Sequence, residues 1–561
     1  MNHAGAFAIS KILTLLYQSL AMKRITKLLL AILTGLLMTF GWPEHGFPLL
    51  LFAGLVPLML VEHEQWKNRK DNSWFGIFGY SYLAFLVWNA LTTYWINGST
   101  LVGAIAAIVL NTMFMSIVFT AFHITHRVMR GGTSSYLALI GYWMSFEYLH
   151  LRWDLNWPWL NLGHGFAAYN RWIQWYEYTG VFGGTLWILL VNILIFFILR
   201  DIFEKAVLKR ALWLRSAIIV LFIAVPIIVS LIMYRNYVEK SSPVDVVVIQ
   251  PNIDPYNEQY ELGPAVILER MLTLARSKAD SNTQFIVCPE SALQEYVWED
   301  RFEQSQSLRT LRQFNRQYKQ LSFVTGMSTR KLYEDGEPLS LTARKFKDAE
   351  KYYDSYNTAL FVKHDSTFQK YHKSKLTPGV EKMPYPRLFK FLENYAIDLG
   401  GTVGSLGIDD VRMPFIVNDT LRIAPCICYE SVYGEFMNGF IRNGANLIFV
   451  ITNDGWWGNT PGHRHHLLFS SIRAIETRRS IARSANTGIS CFINQRGDIQ
   501  QRTAYWTPVA IRQQINANDY LTFYVRYGDY LGRIGLLVAG LMALLSISFG
   551  IRNRSAMLKS H

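Results

Sequence analysis

The sequence predicts a polytopic α-helical membrane domain, an α/β domain outside the bilayer, and a single closing membrane helix. Three observations predict this architecture. Long apolar segments dominate residues 1–234, residues 235–529 have the composition of an ordinary soluble domain, and one further apolar segment lies within residues 530–561. A chain of 561 residues is long enough for two or three domains.

Eight apolar segments each come close to the ~20 residues with which a helix crosses hydrocarbon. They span residues 28–42, 47–61, 73–96, 101–122, 134–149, 180–199, 217–234 and 530–551. We therefore expect about eight transmembrane helices, seven of them in the first domain. Residues 1–22 do not match a cleaved signal peptide, because no small-residue cleavage site precedes the basic cluster at Lys23.

The loop charges predict the orientation of these segments. Lys and Arg follow the second, fourth, sixth and eighth segments, whereas the turns at 43–46 and 97–100 have none. Positive charge is enriched in cytoplasmic loops, so both termini are expected in the cytoplasm and residues 235–529 outside it. If one of the short segments did not span, the placement of the α/β domain would be reversed. Because topology accounts for many of the basic residues, the net charge of +14 does not indicate a nucleic-acid-binding protein.

The membrane domain has two unusual polar or aromatic features. Glu147 lies within the fifth segment, where a carboxylate is costly and usually faces a polar cavity. The aromatic loop 150–178 is typical of an interfacial belt at the headgroup level. A further hypothesis is that this loop helps to form a lipid-facing floor beneath the α/β domain of residues 235–529, which we call the outer domain.

Strand and helix patterns alternate through the outer domain. Strands are expected at 244–250, 285–288, 322–327, 356–363, 422–428, 446–452 and 487–494, and helices at 264–277, 301–320, 433–443 and 465–484. This order predicts a sheet covered by helices. Two irregular stretches, 331–351 and 379–411, lie before and after Lys373 and are predicted to act as lids.

Three chemically useful side chains follow the ends of extended apolar segments. They are Glu290, Lys373 and Cys428. A thiol attacks only as its thiolate, so Cys428 needs a base or a nearby positive charge. Glu290 can take the proton, Lys373 can stabilise the thiolate and the following oxyanion, and the backbone N–H of Tyr429 can donate a second hydrogen bond. The pattern predicts covalent acyl transfer.

The other cysteines and a cluster of three histidines are also candidate functional groups. Cys426 is a rival nucleophile, because it shares a strand face with Cys428. The remaining cysteines are expected to be buried apolar residues without disulfides. His463, His465 and His466 are expected at a helix start and to bind no metal, because no paired cysteines or carboxylates stand at ligand spacing.

These motifs resemble those of the nitrilase superfamily. Cys-Pro-Glu290-Ser-Ala, Lys373-Ser-Lys-Leu-Thr-Pro-Gly-Val-Glu381 and Ile-Cys428-Tyr429-Glu430 are similar to its glutamate, lysine and nucleophile motifs. With seven apolar segments before this domain and one after it, nearly the whole chain resembles the apolipoprotein N-acyltransferase family. The motif around the second glutamate usually reads Pro-Phe-Gly-Glu-Tyr-Val-Pro in that family. Here Glu381 and both prolines are kept, while the aromatic neighbours are not.

The resemblance implies an αββα sandwich and a ping-pong reaction without cofactor or metal. An acyl chain would pass from a membrane phospholipid, with phosphatidylethanolamine the expected donor, to Cys428 as a thioester. It would then pass to the α-amino group of the N-terminal diacylglyceryl-cysteine of a lipoprotein. Glu381 and Glu430 would position Lys373 and Cys428 or orient the amine. The implied location is the bacterial inner membrane, with the catalytic domain on the periplasmic side.

Two other functions remain open on the sequence. A membrane-tethered amidase would use the same triad, and water rather than an amine would resolve the thioester. A transporter with a receptor-like outer domain would not need the triad. It would also be expected to carry charged residues in several membrane segments, and few are present beyond Glu147.

Overall fold

The computed structural model describes residues 22–43, 46–204, 209–259, 261–363, 365, 367–385 and 405–558. Residues 1–21, which include nearly all of the segment that we compared with a signal peptide, lie outside the described residues. The same holds for residues 386–404, the middle of the second irregular stretch.

Helices occupy all eight apolar segments. In the first domain they are α1 (Arg24–Gly41), α2 (Leu51–Gly54), α3 (Val56–Lys67), α4 (Phe78–Thr93), α5 (Leu101–Val128), α6 (Tyr136–His150), α7 (Tyr176–Thr179), α8 (Val181–Glu204) and α9 (Lys209–Asn236). The helices of the outer domain are α10 (Pro264–Arg276), α11 (Gln306–Asn315), α12 (Gly434–Arg442), α13 (Pro461–Thr477) and α14 (Phe523–Tyr527), and the chain closes with α15 (Tyr530–Leu558). The second apolar segment is divided between α2 and α3.

Within the described residues, five helices are long and apolar enough to cross a membrane. They are Arg24–Gly41, Leu101–Val128, Val181–Glu204, Arg210–Asn236 and Tyr530–Asn553. The helices in the second, third and fifth apolar segments are shorter, although they pack in the same bundle.

Glu147 is bound by protein donors inside this bundle, and this corrects the expectation that it faces a polar cavity. Its carboxylate accepts hydrogen bonds from Trp143 Nε1 at 3.0 Å, Leu162 N at 2.8 Å and Thr185 Oγ1 at 2.7 Å. A buried carboxylate is tolerated when such donors satisfy it. Glu147 therefore ties α6 to α8 and to the loop between them.

The described residues of the outer domain form two β-sheets. Its strands are β1 (Pro243–Gln250), β2 (Phe285–Val287), β3 (Leu293–Trp298), β4 (Ser322–Leu332), β5 (Arg344–Lys345), β6 (Tyr352–Val362), β7 (Phe368–His372), β8 (Phe415–Ile416), β9 (Arg422–Ile427), β10 (Leu447–Thr452), β11 (Ile481–Ala485), β12 (Cys491–Ile493), β13 (Ile499–Gln500) and β14 (Val509–Asn516). The first sheet has the order β14-β1-β2-β4-β6-β5, with β3 paired to β4 and β7 to β6. The second has the order β13-β12-β11-β10-β9-β8.

The two sheets pack face to face between helices. Alternate residues of β1 explain the layers, because successive side chains on a strand point to opposite faces. Val246 and Val248 join the core shared with the second sheet, whereas Val247 and Ile249 pack with α10 and α11. Residues of α12 and α13 pack against the second sheet. The predicted α/β sandwich is confirmed.

One part of the strand and helix prediction is wrong. The helix expected at 465–484 ends at Thr477, and residues 481–485 form β11 in the middle of the second sheet. Arg478 has a φ of 51°, which ends the helix without a glycine. Strands β3, β5, β8, β13 and β14 were not predicted, and the strand expected at 487–494 is limited to β12.

The loop 150–178 forms a packed layer between the membrane helices and the outer domain. Trp159, Phe166 and Ile173 share one hydrophobic core with Tyr433 and Phe469 of the outer domain. Polar contacts join the same layers, since Arg478 donates to Glu177 at 2.6 Å and to Gln174 Oε1 at 2.7 Å. The proposed lipid-facing floor is therefore wrong for most of this loop, because protein covers both of its sides.

Candidate active site

A sharp turn at the end of β9 presents Cys428. The backbone of Cys428 has a φ of 50°, in the left-handed region that non-glycine residues seldom adopt. A 3₁₀ helix, Cys428–Val432, begins at this residue. Cys428 is partly exposed, whereas the other three cysteines are buried and all four are free.

The same turn places Cys428 and Cys426, the alternative nucleophile, in different environments. Cys426 is fully buried in the core between the two sheets, while Cys428 lines a cavity. The strand alternation that would place both sulfur atoms on one face stops at the left-handed residue. The geometry thus favours Cys428 as the thiol available to a substrate.

Lys373 lies between two carboxylates. Its Nζ donates to Glu290 Oε1 at 2.9 Å and to Glu381 Oε1 at 2.8 Å. Lys373 is 2% exposed and Glu290 is 7% exposed, so solvent screens these ion pairs little. Lys373 follows β7 directly, and its backbone N–H donates to the carbonyl of Asn357 on β6 at 2.8 Å.

Two asparagines that the sequence did not single out as site residues complete this arrangement. Asn357 Nδ2 donates to Glu290 Oε1 at 2.8 Å and to Glu381 Oε1 at 3.2 Å. The backbone N–H of Asn453, which follows β10, donates to Glu290 Oε2 at 3.1 Å. Asn357 lies inside a strand, so no position at a strand end marked it.

These groups line one cavity of about 160 Å³. Its polar lining includes Glu290, Lys373, Glu381 and Cys428, together with both asparagines. Its apolar lining includes Val380, Leu406, Trp456 and Trp457, and the turn between α4 and α5 contributes Ser99. The structure therefore brings Glu290, Lys373 and Cys428 to a common cavity beside the membrane domain.

The second irregular stretch closes part of this cavity. Val380, Glu381 and Leu406 belong to it, and Lys382 Nζ donates to Asp154 Oδ1 of the membrane domain at 2.6 Å. Residues 331–351 are all described, and none of them lines the cavity. Of the two stretches, the second has the contacts expected of a lid.

Glu430 lies behind the cavity and holds the two segments that carry Lys373 and Cys428. Its carboxylate accepts hydrogen bonds from Tyr371 Oη at 2.6 Å, Ser374 N at 2.7 Å and Ile427 N at 2.8 Å. Glu430 does not line the cavity. It can position the reactive residues without contacting a substrate.

Tyr429 directs its side chain away from the cavity. Its hydroxyl donates to Asn156 Oδ1 at 3.2 Å, and its ring lies 5.9 Å from that of Trp159. Only its backbone N–H, in the first turn of the 3₁₀ helix, is placed beside Cys428. The first N–H groups of a helix lack intrahelical acceptors and can bind an anion.

A buried polar network supports the turn at Cys428. His466 Nε2 lies 2.9 Å from the carbonyl oxygen of Cys428, and its Nδ1 lies 2.8 Å from Asp454 Oδ1. Asp454 also accepts hydrogen bonds from Thr452 and Arg483. The sequence placed His466 correctly at a helix start, but gave no sign of this contact.

The same network contains a possible set of metal ligands. Ligand atoms of Cys428, Asp454 and His466 lie within 4.8 Å of one another. However, both ring nitrogens of His466 already face oxygen atoms, and the Arg483 guanidinium neutralises Asp454. The donor set therefore fits a hydrogen-bonded support better than a cation site.

Burial and charge together define the protonation states of the site. Burial raises the pKa of the Cys428 thiol, as does Glu290, while Lys373 opposes them. Burial lowers the pKa of Lys373, but Glu290 and Glu381 outweigh it and hold that pKa well above its usual value. Burial raises the pKa of Glu381, but Lys373 outweighs this effect and keeps it below the usual value.

These shifts indicate a neutral thiol at rest beside a protonated lysine. The sequence-based expectation that Lys373 stabilises the thiolate and the following oxyanion stays a prediction. If Glu290 takes the proton during the attack, the site keeps the same total charge. The arrangement can therefore generate a thiolate without adding charge to a buried cavity, which would be costly.

Two family models match the chain. The apolipoprotein N-acyltransferase N-terminal domain matches residues 34–194, and the carbon-nitrogen hydrolase model matches residues 246–519. The apolipoprotein N-acyltransferase of Chlorobaculum tepidum is 27% identical over 92% of this chain and 96% of its own length. That of Thermotoga maritima is 26% identical over 94% of this chain and 95% of its own.

Solved structures of the nitrilase superfamily are similar to about half of the chain. Nit3 of Saccharomyces cerevisiae is 16% identical, with a TM-score of 0.35, and the match covers 51% of this chain and 95% of Nit3. An amidase from Nesterenkonia sp. AN1 is 14% identical, with a TM-score of 0.34, over 52% of this chain and 99% of the amidase.

The two models match in the order that the sequence suggested, and these two relatives align along more than nine-tenths of the chain. The chain belongs to the apolipoprotein N-acyltransferase family of the nitrilase, or carbon-nitrogen hydrolase, superfamily.

Proposed function

We propose that this protein transfers an acyl chain from a membrane phospholipid to the α-amino group of the N-terminal diacylglyceryl-cysteine of lipoproteins. The observation that carries this proposal is the convergence of Cys428, Lys373 and Glu290 on one cavity beside the membrane domain. The names of the aligned relatives support the same reaction.

In the first half-reaction, Glu290 takes the proton of Cys428 as the sulfur attacks the carbonyl carbon of an acyl ester. The C–S bond forms, and the carbonyl oxygen becomes an oxyanion. Lys373 Nζ and the backbone N–H of Tyr429 stabilise this negative charge. The ester C–O bond then breaks, and Glu290 returns its proton to the departing lysophospholipid oxygen.

In the second half-reaction, the α-amino group attacks the thioester of Cys428. Glu290 takes a proton from the amine and the C–N bond forms; the C–S bond then breaks, and the Cys428 thiolate takes the proton from Glu290. Glu381, which lines the cavity, can hold Lys373 or orient the amine. Trp456, Trp457 and the segment around Val380 limit the access of water to the thioester.

The proposed location is the bacterial inner membrane, with eight spanning segments and the α/β domain in the periplasm. The five long apolar helices and the basic loops after the second, fourth and sixth segments support it. A donor and an acceptor that share one leaflet would meet at the cavity, and holding both there raises their effective concentration.

Intact mass spectrometry tests the first half-reaction. The purified protein is incubated with phosphatidylethanolamine alone, and an added acyl mass is expected that hydroxylamine removes and that peptide mapping assigns to Cys428. Cys428→Ala should abolish the adduct, while the matched control Cys426→Ala should keep it. An adduct that persists in Cys428→Ala would reject the proposed nucleophile.

Adding a diacylglyceryl lipopeptide separates the transferase from the amidase. A transferase should convert the thioester to a triacylated peptide faster than it releases free fatty acid. Release of fatty acid at the same rate with and without the lipopeptide would favour the hydrolase.

A further inference from the structure

A second cavity, of about 210 Å³, lies at the junction of the two domains. Leu151 directly follows α6, Val181 begins α8, and Asp529 immediately precedes α15, and all three residues line it. The outer domain contributes Lys375 and the segment 432–436. In the proposed orientation, this cavity lies at the headgroup level of the outer leaflet.

Two buried polar side chains of this lining are incompletely bonded. The amide nitrogen of Asn161 and Nε2 of His164 have no hydrogen-bond partner within the described part of the chain. Asn161 is 2% exposed and His164 is 1% exposed. His164 Nδ1 donates to the carbonyl of Pro158 at 3.0 Å, so its Nε2 is an acceptor in the neutral ring. Because buried polar groups are normally paired, a ligand that accepts a hydrogen bond should complete the bonding of the Asn161 amide.

Lys375 adds a positive charge to this cavity. Its Nζ donates to the carbonyl of Leu151 at 3.2 Å and lies 4.8 Å from the centre of the Tyr433 ring. An ammonium group has three donors, so these contacts leave donors for a ligand. Burial lowers the pKa of Lys375 to about 8, and the positive charges of Arg152, Lys382 and Arg412 act in the same direction. A group in such a field is stabilised by a bound anion.

The acidic residues of the lining are already paired. Arg152 contacts both Glu435 and Asp529, the latter at 2.8 Å, and Arg533 contacts Glu435 at 3.1 Å. Two guanidinium groups therefore balance two carboxylates. Within the described residues no carboxylate forms an ion pair with Lys375, although the charge of Glu430 acts on it, so this ammonium group favours an anionic ligand over a cationic one.

The position of Lys375 connects this cavity to the reactive residues. It lies two residues after Lys373, and Tyr433 lies five residues after Cys428. The backbone N–H groups of Ser374 and Lys375 donate to Glu430, which also holds the end of β9 through Ile427 N. A ligand at Lys375 would thus be held on the same framework as the nucleophile.

We propose that this cavity binds the phosphate of a phospholipid headgroup, with Lys375 Nζ and the amide nitrogen of Asn161 as donors. The inference rests on the proposed function for the identity of the lipid as an acyl donor. It adds a headgroup subsite on the junction side of the nucleophile turn, where the phosphate of the donor would be held during acyl transfer.

A binding measurement tests the site independently of catalysis. Full-length Cys428→Ala protein in detergent is titrated with phosphatidylethanolamine, with diacylglycerol of the same acyl chains, and with inorganic phosphate, and native mass spectrometry measures the bound fraction. Lys375→Gln in this background should weaken phosphatidylethanolamine binding about tenfold and leave diacylglycerol binding unchanged. Lys375→Arg should largely restore the affinity, and the exposed lysine variant Lys278→Gln is the matched control.

The arms of this experiment distinguish the sources of phosphate. Phosphatidylethanolamine should bind far more tightly than inorganic phosphate, and both should depend on Lys375. If only inorganic phosphate depends on Lys375, the site is not a lipid subsite and the proposal is overturned. If Lys375→Gln changes neither ligand, the cavity holds water and the proposal also fails. Failure of the proposed function would instead appear as the absence of an acyl adduct on the unsubstituted protein, whatever the binding result.

Discussion

At the scale of single residues, the central feature is one ammonium group between two carboxylates. Lys373 contacts Glu290 and Glu381, and Asn357 donates to the same oxygen atom of each. Two negative charges and one positive charge leave a single excess negative charge beside the Cys428 thiol. In the proposed reaction this charge favours transfer of the thiol proton to the site, and Lys373 stabilises the oxyanion.

Glu381→Gln should slow thioester formation by about 100-fold, at the lower end of the range for positioned acid–base groups. Without this carboxylate, Lys373 interacts more strongly with Glu290, which becomes a weaker base toward Cys428. The rate of acyl-adduct formation measures the effect, and Glu337→Gln, a carboxylate paired with Lys331 outside the cavity, is the control. If adduct formation is unchanged and only transfer to the amine slows, Glu381 orients the amine instead.

Glu430 should make the stability of the protein depend on pH. Burial raises the pKa of Glu430 to about 7, although Tyr371, Ile427 and Ser374 donate to its carboxylate and oppose the shift. A carboxyl group whose pKa is higher in the folded state binds more protons there than in the unfolded chain. Its contribution is therefore most favourable below a pH of about 4.5 and is lost as the pH rises to about 7, by on the order of 3 kcal/mol.

Melting temperatures of the detergent-solubilised protein between pH 5 and pH 7.5 test this expectation. Glu430→Gln should melt lower at pH 5, because it disturbs the donors around the carboxylate, but its melting temperature should depend less on pH. The exposed variant Glu269→Gln should keep the slope of the unsubstituted protein. Equal slopes in all three proteins would show that Glu430 does not titrate in this range.

The sequence indicated Glu290, Lys373 and Cys428 because each follows the end of an extended apolar segment, where side chains of neighbouring strands meet. The structure brings all three together, while their roles in the reaction stay proposals. Asn357 and His466 were not found as site residues for a physical reason. Asn357 lies within β6 and His466 within α13, and tertiary packing rather than local pattern brings them to the site.

At the scale of elements, the turn after β9 determines which cysteine is accessible. A strand that continued past Ile427 would leave Cys428 on the same face as Cys426, in the core between the sheets. The left-handed backbone of Cys428 and the 3₁₀ helix that follows it redirect the thiol. Glu430 holds the turn to the segment after β7, so the nucleophile and the lysine are positioned together.

The error at β11 has a comparable physical origin. Ile481–Ala485 contains Arg483, and a charged residue in a short segment argues against a central strand. In the structure Arg483 is fully buried and paired with Asp454 at the end of β10. Local composition cannot reveal such a pairing, because the two residues lie 29 positions apart.

The contact between the lid segment and the membrane domain should control access of water to the thioester. Asp154 accepts from Lys382 Nζ at 2.6 Å and from Tyr385 N at 3.0 Å. Because this ion pair is partly exposed, it should contribute about 1 kcal/mol or less. Asp154→Asn should therefore raise the hydrolysis rate of the Cys428 thioester by up to about fivefold, measured as loss of the acyl mass without acceptor.

The control for this prediction is Asp300→Asn, which removes an exposed ion pair with Arg301 away from the cavity lining. Faster proteolytic cleavage between residues 379 and 385 in Asp154→Asn, but not in the control, would support loosening of the lid. An unchanged rate of hydrolysis would show that this contact does not shield the thioester.

At the scale of the whole molecule, the proposed topology can be tested by introducing one cysteine at a time in the Cys428→Ala background, in which the three remaining cysteines are buried. Lys278→Cys in the outer domain should react with a membrane-impermeant maleimide in intact spheroplasts. Asp71→Cys, in the loop after α3, should react only after lysis, because that loop is expected in the cytoplasm. Both residues are exposed, so access rather than burial decides the result. The opposite pattern would place the catalytic domain in the cytosol.

The shared core at the junction has a consequence for how this protein can be divided. Tyr433, Phe469, Ile472 and Ile475 of the catalytic half are buried among residues of the membrane half. A fragment starting at residue 235 would present these side chains to water and would lose the contacts of Tyr429 with Asn156 and Trp159. The membrane half is therefore a structural part of the enzyme as well as its membrane anchor. A substitution in the contact surface of one half would require a compensating substitution in the other.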